Sequence, residues 1–241
     1  MTPDEFRLLG HELVDWIADY REHIERHPVM ATVEPCAVRA RLPTTPPDRG
    51  EPLAGLVADL EQIVMPGITH WNHPRFFAYF PSNAGLASVL GDLVSTGLGV
   101  QGMSWQTSPA ATELEEVVMD WLRQMVDLPE AFHGVIHDTA STATLVALLC
   151  ARERTTDHAQ TRRGLQGLER PLAVYASDQA HSSVEKAALL AGFGRELVRS
   201  IETDDNCAMR VDRLREAIAG DVAAGTVPCA VVATVGSTAT T

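Results

Sequence analysis

The chain has 241 residues, 45% of them hydrophobic, and a formal net charge of −13. That apolar content suffices for a soluble core, while the acidic balance argues against nucleic acid or an anionic membrane surface as a partner. No apolar run approaches the length of a membrane span, and the first residues lack the apolar stretch of a signal peptide.

In chain order, Thr2, Pro3, Asp4 and Glu5 open a helix: Thr2 as N-cap, Pro3 in the first turn, Glu5 closing a capping box. Phe6, Leu9, Leu13, Ile17, Tyr20 and Ile24 then recur at three- and four-residue steps, which predicts a long amphipathic helix with one apolar stripe. A proline-rich extended stretch follows over 33–52. Leu53, Leu56, Leu60 and Ile63 mark a second amphipathic helix, which Pro66 and Gly67 terminate. Two helices joined by an extended arm cannot bury both stripes by themselves and need another surface.

From Gly85 onward the elements alternate as in a doubly wound α/β fold. Helices are predicted over 86–98 and 112–126. A short strand over 135–137 leads into a helix over 143–154, and a polar surface loop or loose helix covers 155–170. Strands at 172–176, 197–201 and 229–234 alternate with helices at 183–190 and 211–224. The domain reading is therefore a helical segment, residues 1–84, followed by α/β structure over 85–241. The four cysteines, Cys36, Cys150, Cys207 and Cys229, show no C-x-x-C spacing. Cys150 and Cys229 fall inside apolar runs and read as buried thiols of a reducing, cytoplasmic compartment. Of 19 basic residues only Lys186 is a lysine, an arginine usage that suggests a GC-rich bacterial genome.

Three places stand out chemically. His181 lies where the strand at 172–176 hands over to a helix, with Ser182 and Glu185 spaced as a capping box. In α/β proteins ligands bind beyond the carboxyl ends of strands. A planar, titratable ring there either stacks on a flat ligand or caps the helix. Asp138 to Ser141 form a turn at a helix N-terminus, whose unpaired donors suit either a phosphate or an ordinary cap. Trp71, Tyr79, Phe80 and Pro81 form an aromatic cluster in a chain that is only 5% aromatic; Phe76 and Phe77 are assigned to the core. His70-x-x-His73 has metal-ligand spacing, but Pro74 and the aromatics argue for a loop and no acidic or cysteine partner is spaced nearby, so no metal is expected. His11-Glu12 lacks the second histidine of a zinc protease motif.

The segment Tyr175 to Lys186 resembles the cofactor-stacking segment of the group II pyridoxal-5'-phosphate (PLP) decarboxylases, the aromatic-L-amino-acid decarboxylase family. Residues 70–82 look like that family's substrate-wall segment. Residues 102–105 with 108–115 look like its next block. Residues 139–144 and 236–238 look like its phosphate and cofactor-edge turns. These five blocks run in family order. The resemblance implies an α/β fold of PLP-dependent transferase-like fold type I (aspartate aminotransferase-like), with PLP as cofactor and an aromatic L-amino acid as substrate. It implies a homodimer in which the N-terminal helices lie across the partner. It carries cofactor-phosphate contact onto Ala140 and Ser141, a cofactor contact onto Thr238, and ring stacking onto His181 as the catalytic residue. Trp71, Tyr79, Phe80, Pro81 and Ser82 line the substrate pocket in this reading, and Gln101 and Met103 reach in from the partner. A flat, apolar pocket favours an aromatic side chain over glutamate, which needs a cation.

Two departures qualify the resemblance. Asp138-Thr139 stands where the family has Gly-Ser, which sets a carboxylate beside the expected phosphate. The family's Schiff-base lysine, and its aspartate facing the pyridine nitrogen, follow the turn at 236–238, so these residues are expected to be roughly the first half of a family member. On that account the strand at 135–137 lacks neighbours, and the sheet has a gap that the remaining strands fill. Two other readings stay open: a non-catalytic truncated chain, and an aldehyde synthase of the same family that oxidatively deaminates its substrate.

Overall fold

The structure is a computed structural model and describes residues 1–46, 48–50, 53–80 and 85–239. The chain divides into two units, Met1–Gly91 and Asp92–Thr241.

In the first unit, α1 (Pro3–Glu22) starts as expected. Thr2 Oγ1 accepts from the Glu5 amide at 3.2 Å, and the Glu5 carboxylate accepts from the Thr2 amide. The apolar stripe is only partly covered: Ile24, just past the helix, is buried, Leu13, Ile17 and Tyr20 are half-buried, and Phe6 is 56% exposed. The second helix is less regular than its stripe predicts. It begins as α2 (Leu56–Asp59), widens to a π turn at Leu60–Val64 and tightens to a 3-10 turn at Met65–Gly67. Pro66 supplies no amide for a continuing helix, which accounts for the stop. His70 is buried beside α1. Its Nδ1 lies 2.8 Å from the Tyr20 hydroxyl, its ring stands 4.9 Å from that of His27, and its amide donates to the Val29 carbonyl. Burial, then His27 and His73, hold the His70 ring below the usual histidine range.

The second unit carries a three-stranded parallel sheet in the order β2-β1-β3, formed by β1 (Leu172–Ser177), β2 (Val198–Ile201) and β3 (Val227–Val232). β1 is central and buried on both sides, so it reads as a continuous apolar run, without the alternation of a one-sided strand. On one face Leu172 and Val174 pack with Leu148, Ala187, Ala188, Ala191 and Phe193 from α5 (Ala140–Thr155), α7 (Ser183–Leu190) and the turn after it. On the other, Ala173, Tyr175 and Ile201 pack on α8 (Val211–Ala223). Beneath that face Tyr175, fully buried, donates to Asp221 at 2.7 Å, and the Arg199 Nε reaches both Asp221 oxygens at 3.0 and 3.2 Å. The remaining helices are α3 (Leu86–Leu98), α4 (Pro109–Met125) and α6 (Ala159–Arg163).

Several expectations need correction. Residues 135–137 form no strand: their backbone is irregular, Val135 and Ile136 are exposed, and the Ile136 amide donates to Glu115. Without a neighbouring strand an extended segment has nothing to pair with. α4 and α5 each begin three residues early, because Ser108 and Thr139 act as N-caps, accepting from the amides of Ala111 and Thr142. β3 begins and ends two residues before its expected bounds. Cys150 is exposed. Cys229 is half-buried against the core, and burial pushes its thiol up. Phe77 is 87% exposed and not core; Phe76 is half-buried.

Candidate active site

The parallel sheet gives the second unit a polarity. The loop after β1 carries His181 and the turn after β3 carries Thr238, both beyond the carboxyl ends of their strands. α5 runs the same way as α7. At its far end Thr155 Oγ1 donates to Cys229 Sγ near the start of β3 at 3.4 Å, and the Arg152 guanidinium donates to the Ala191 carbonyl at the end of α7. The first turn of α5, with Ala140 and Ser141, therefore lies on the same carboxyl edge as His181 and Thr238. Four of the expected cofactor contacts thus share one edge, the usual ligand-binding side of such sheets.

At that first turn, Thr142 and Ala143 return their amides to the side chain and carbonyl of Thr139. The amides of Ala140 and Ser141 have no partner among the described residues, and both residues are exposed. Asp138 complicates the turn as its sequence predicts. The Thr142 hydroxyl holds its carboxyl below the usual range, with weaker help from the backbone at Thr139.

His181 occupies a more constrained position than the expected capping box allows. Ser182 makes no side-chain cap, and Glu185 pairs with Arg195 at 3.0 Å. The ring caps instead. Its Nδ1 accepts from the Ser183 amide at 3.2 Å and stands 2.8 Å from Ser183 Oγ. The rest of the ring is exposed, beside a cleft of about 300 Å³ lined by Asp178, Ser182 and Val198 among others. The loop itself is anchored to β2: the Asp178 amide donates to the Ile201 carbonyl and its carboxylate accepts from Thr203. Lys186 is exposed on the face of α7 opposite the buried Val184, Ala187 and Ala188.

In the first unit Trp71 stacks on Phe76 and Tyr79 at centroid distances of 5.1 and 5.2 Å. Tyr79 has φ +58°, a left-handed backbone that a bulky residue adopts only when its surroundings impose it. Tyr79 and Phe80 are exposed; Pro81 and Ser82 lie outside the described residues. Gln101 and Met103 sit in the second unit, on the exposed loop between α3 and α4, with Met103 82% exposed. Among the described residues no three histidine, cysteine or acidic side chains gather as for a metal.

Sequence reasoning missed Ser183 and the Tyr175–Asp221–Arg199 and Tyr20–His27–His70 contacts. The hydroxyl two residues past His181 was a visible signal for the first. The other two join residues far apart in sequence and left none.

Residues 35–241 match the pyridoxal-dependent decarboxylase conserved domain. Over 99% of its length the chain is 47% identical to the aromatic-L-amino-acid decarboxylase of Bos taurus, covering 50% of that protein. It is 43% identical to the phenylacetaldehyde synthase of Arabidopsis thaliana, again covering 50% of it. Among solved structures, tryptophan decarboxylase of Catharanthus roseus in complex with L-tryptophan superposes with a TM-score of 0.89 at 39% identity, over 99% of this chain and 52% of that one. The TDC of Oryza sativa with PLP and tryptamine gives 0.88 at 41%, over 99% and 50%. The fold is that of the fold type I PLP-dependent decarboxylases. The chain belongs to the pyridoxal-dependent decarboxylase family, and it spans about half the length of the curated relatives it matches.

The residues fit that cofactor on two sides. Two unpartnered amides at a helix start suit a phosphate, and an exposed, orientationally locked imidazole suits a planar ring. Asp138 is the poor fit, a carboxylate where an anion binds. The only lysine faces away from the sheet.

Proposed function

We propose that the full-length protein converts an aromatic L-amino acid to the corresponding amine and carbon dioxide, with PLP as cofactor. The observation that carries this reading is the shared carboxyl edge of His181, Ala140, Ser141 and Thr238, in a chain 47% identical to an aromatic-L-amino-acid decarboxylase. Bound PLP supplies a conjugated system that takes up the electron pair released when carbon dioxide leaves. The amides of Ala140 and Ser141 would hold its phosphate, and Thr238 would steady its edge. The His181 ring would stack on the cofactor, and its Nε2 would hold the substrate carboxylate. Trp71, Tyr79, Phe80, Pro81 and Ser82 receive the side chain, with Gln101 and Met103 supplied by a second copy. The strained, stacked Tyr79 supports that assignment, since backbone strain concentrates at functional sites.

The protein works as a homodimer in this reading. The half-exposed stripe of α1 and the exposed Leu90, Leu93 and Val94 of α3 are apolar surfaces that need covering. Lys186 is not the cofactor-holding lysine, so the 241 residues alone are non-catalytic. No described helix is long and apolar enough to cross a membrane.

The similarity to phenylacetaldehyde synthases favours one second reading, oxidative conversion to an aldehyde. The test is to load the full-length protein with PLP and supply tyrosine, tryptophan, dihydroxyphenylalanine or phenylalanine. Amine formed one-for-one with carbon dioxide, without oxygen uptake, is the expected result. Aldehyde with oxygen uptake establishes the second reading. No carbon dioxide from any aromatic amino acid overturns both.

A further inference from the structure

We infer that Ser183 is a positioning residue for His181, selecting which ring nitrogen carries the proton and aiming the other nitrogen outward. The inference rests on the proposed role of His181 in PLP-dependent decarboxylation.

One donor to His181 has a direction that cannot vary. The Ser183 amide hydrogen is fixed by its peptide plane, and it points at His181 Nδ1 across 3.2 Å. A proton on Nδ1 would face that hydrogen directly, so Nδ1 is an acceptor and the neutral ring carries its proton on Nε2. The Ser183 hydroxyl, 2.8 Å from the same nitrogen, then donates as well. Two donors from one residue converge on one lone pair, and the shorter contact belongs to the side chain. Ser183 itself has little freedom. It is 7% exposed, it is the first residue of α7, and the neighbouring Val184, Ala187 and Ala188 are buried in the core. The ring is thus fixed through its Nδ1 edge to the packed body of the unit, while its Nε2 has no partner among the described residues. An N–H presented there suits an anionic acceptor such as a carboxylate, whereas the opposite tautomer presents only a lone pair and repels one. Partners of this kind act through the group they orient, without touching substrate.

The test uses the full-length protein with ¹⁵N-labelled histidine and three variants. Long-range proton–nitrogen correlation spectra report which nitrogen of His181 is protonated, without cofactor or turnover. Unmodified protein is expected to show the Nε2–H form. Ser183→Ala keeps the amide, so the Nε2–H form should persist, but with the hydroxyl lost the Nδ1 resonance should move toward that of a free acceptor nitrogen and kcat for the best aromatic substrate should fall about three- to tenfold. Ser183→Thr restores a hydroxyl and should restore both readouts. A proton on Nδ1 in the unmodified protein, an unchanged Nδ1 resonance and kcat in Ser183→Ala, or a loss that threonine does not rescue, overturns the proposal. The third variant, His181→Phe, separates this failure from that of the underlying reading. If it decarboxylates normally, His181 has no role in turnover; the spectra still decide whether Ser183 sets the ring.

Discussion

His181 has one role that the packing shows and one that is proposed. Nδ1 closes the first turn of α7, work that Ser182 does not perform, and the exposed remainder of the ring is available to a ligand. Removing it in the full-length protein therefore has two separable effects. His181→Ala is expected to cost about 1 kcal/mol of stability through the lost cap, and to lower decarboxylation about a hundredfold through lost positioning, while PLP is still taken up. Thermal melts read the first effect, turnover the second, and visible absorbance the third. Near-normal turnover would leave the histidine only a helix cap. Tyr175, six residues earlier, plays a purely architectural part. Burial and the adjacent Asp221 push its hydroxyl up, while Arg199 holds the Asp221 carboxyl below its usual value. A depressed carboxylate stabilises the fold above the unfolded value and loses that contribution as pH falls toward the folded one. Asp221→Asn is thus expected to lower the urea midpoint clearly at neutral pH, with the gap to unmodified protein closing below about pH 4. A gap that stays constant down to pH 3 would show that charge is not what Asp221 contributes.

At the level of elements, the helices differ in how far they are self-sufficient. α7 buries Val184, Ala187 and Ala188 against β1, whereas none of α1, α3 or α4 contains a buried residue among those described. The stripe on α1 was legible from its spacing and its start from the Thr2–Glu5 box, because both are set by local periodicity and local hydrogen bonds. How much of the stripe is covered was not, because coverage depends on what lies opposite. Deleting residues 1–65 from the full-length protein is expected to give insoluble or monomeric material, since the surface on which these helices dock would be exposed. Sedimentation velocity decides; a soluble, dimeric, active deletion refutes the assignment. The strand expected at 135–137 failed for a related reason. Val135 and Ile136 have the right residue types, but a strand exists only by pairing, and no described segment pairs with them.

Over the whole molecule, the question is where the cofactor is anchored. The single lysine lies on the outward face of α7, away from the edge that gathers Ala140, Ser141, His181 and Thr238. Titrating the purified 241-residue chain with PLP and reducing with borohydride should therefore leave Lys186 without stoichiometric label, as peptide mass mapping will report. Full labelling at Lys186 would show that this lysine reaches the cofactor and would overturn the orientation argued from α7.

Taken by itself, the sequence determined the family, the alternation of helices and strands, the Thr2 cap and the position of His181 at a strand-to-helix handover. Each rests on neighbours within a few residues, or on motif blocks whose order survives in the chain. Tertiary structure alone decided three things. It turned α5 parallel to α7 through contacts such as Arg152–Ala191, which brings the phosphate turn to the edge that holds His181. It replaced the Ser182 box with the His181 ring as cap, because the fold offers Nδ1 to the Ser183 amide and leaves Glu185 to Arg195. It also exposed Phe77 and Cys150, whose apolar surroundings in sequence read as core. Hydrophobic character states that a side chain gains from burial; only the packing of distant segments settles whether anything arrives to bury it.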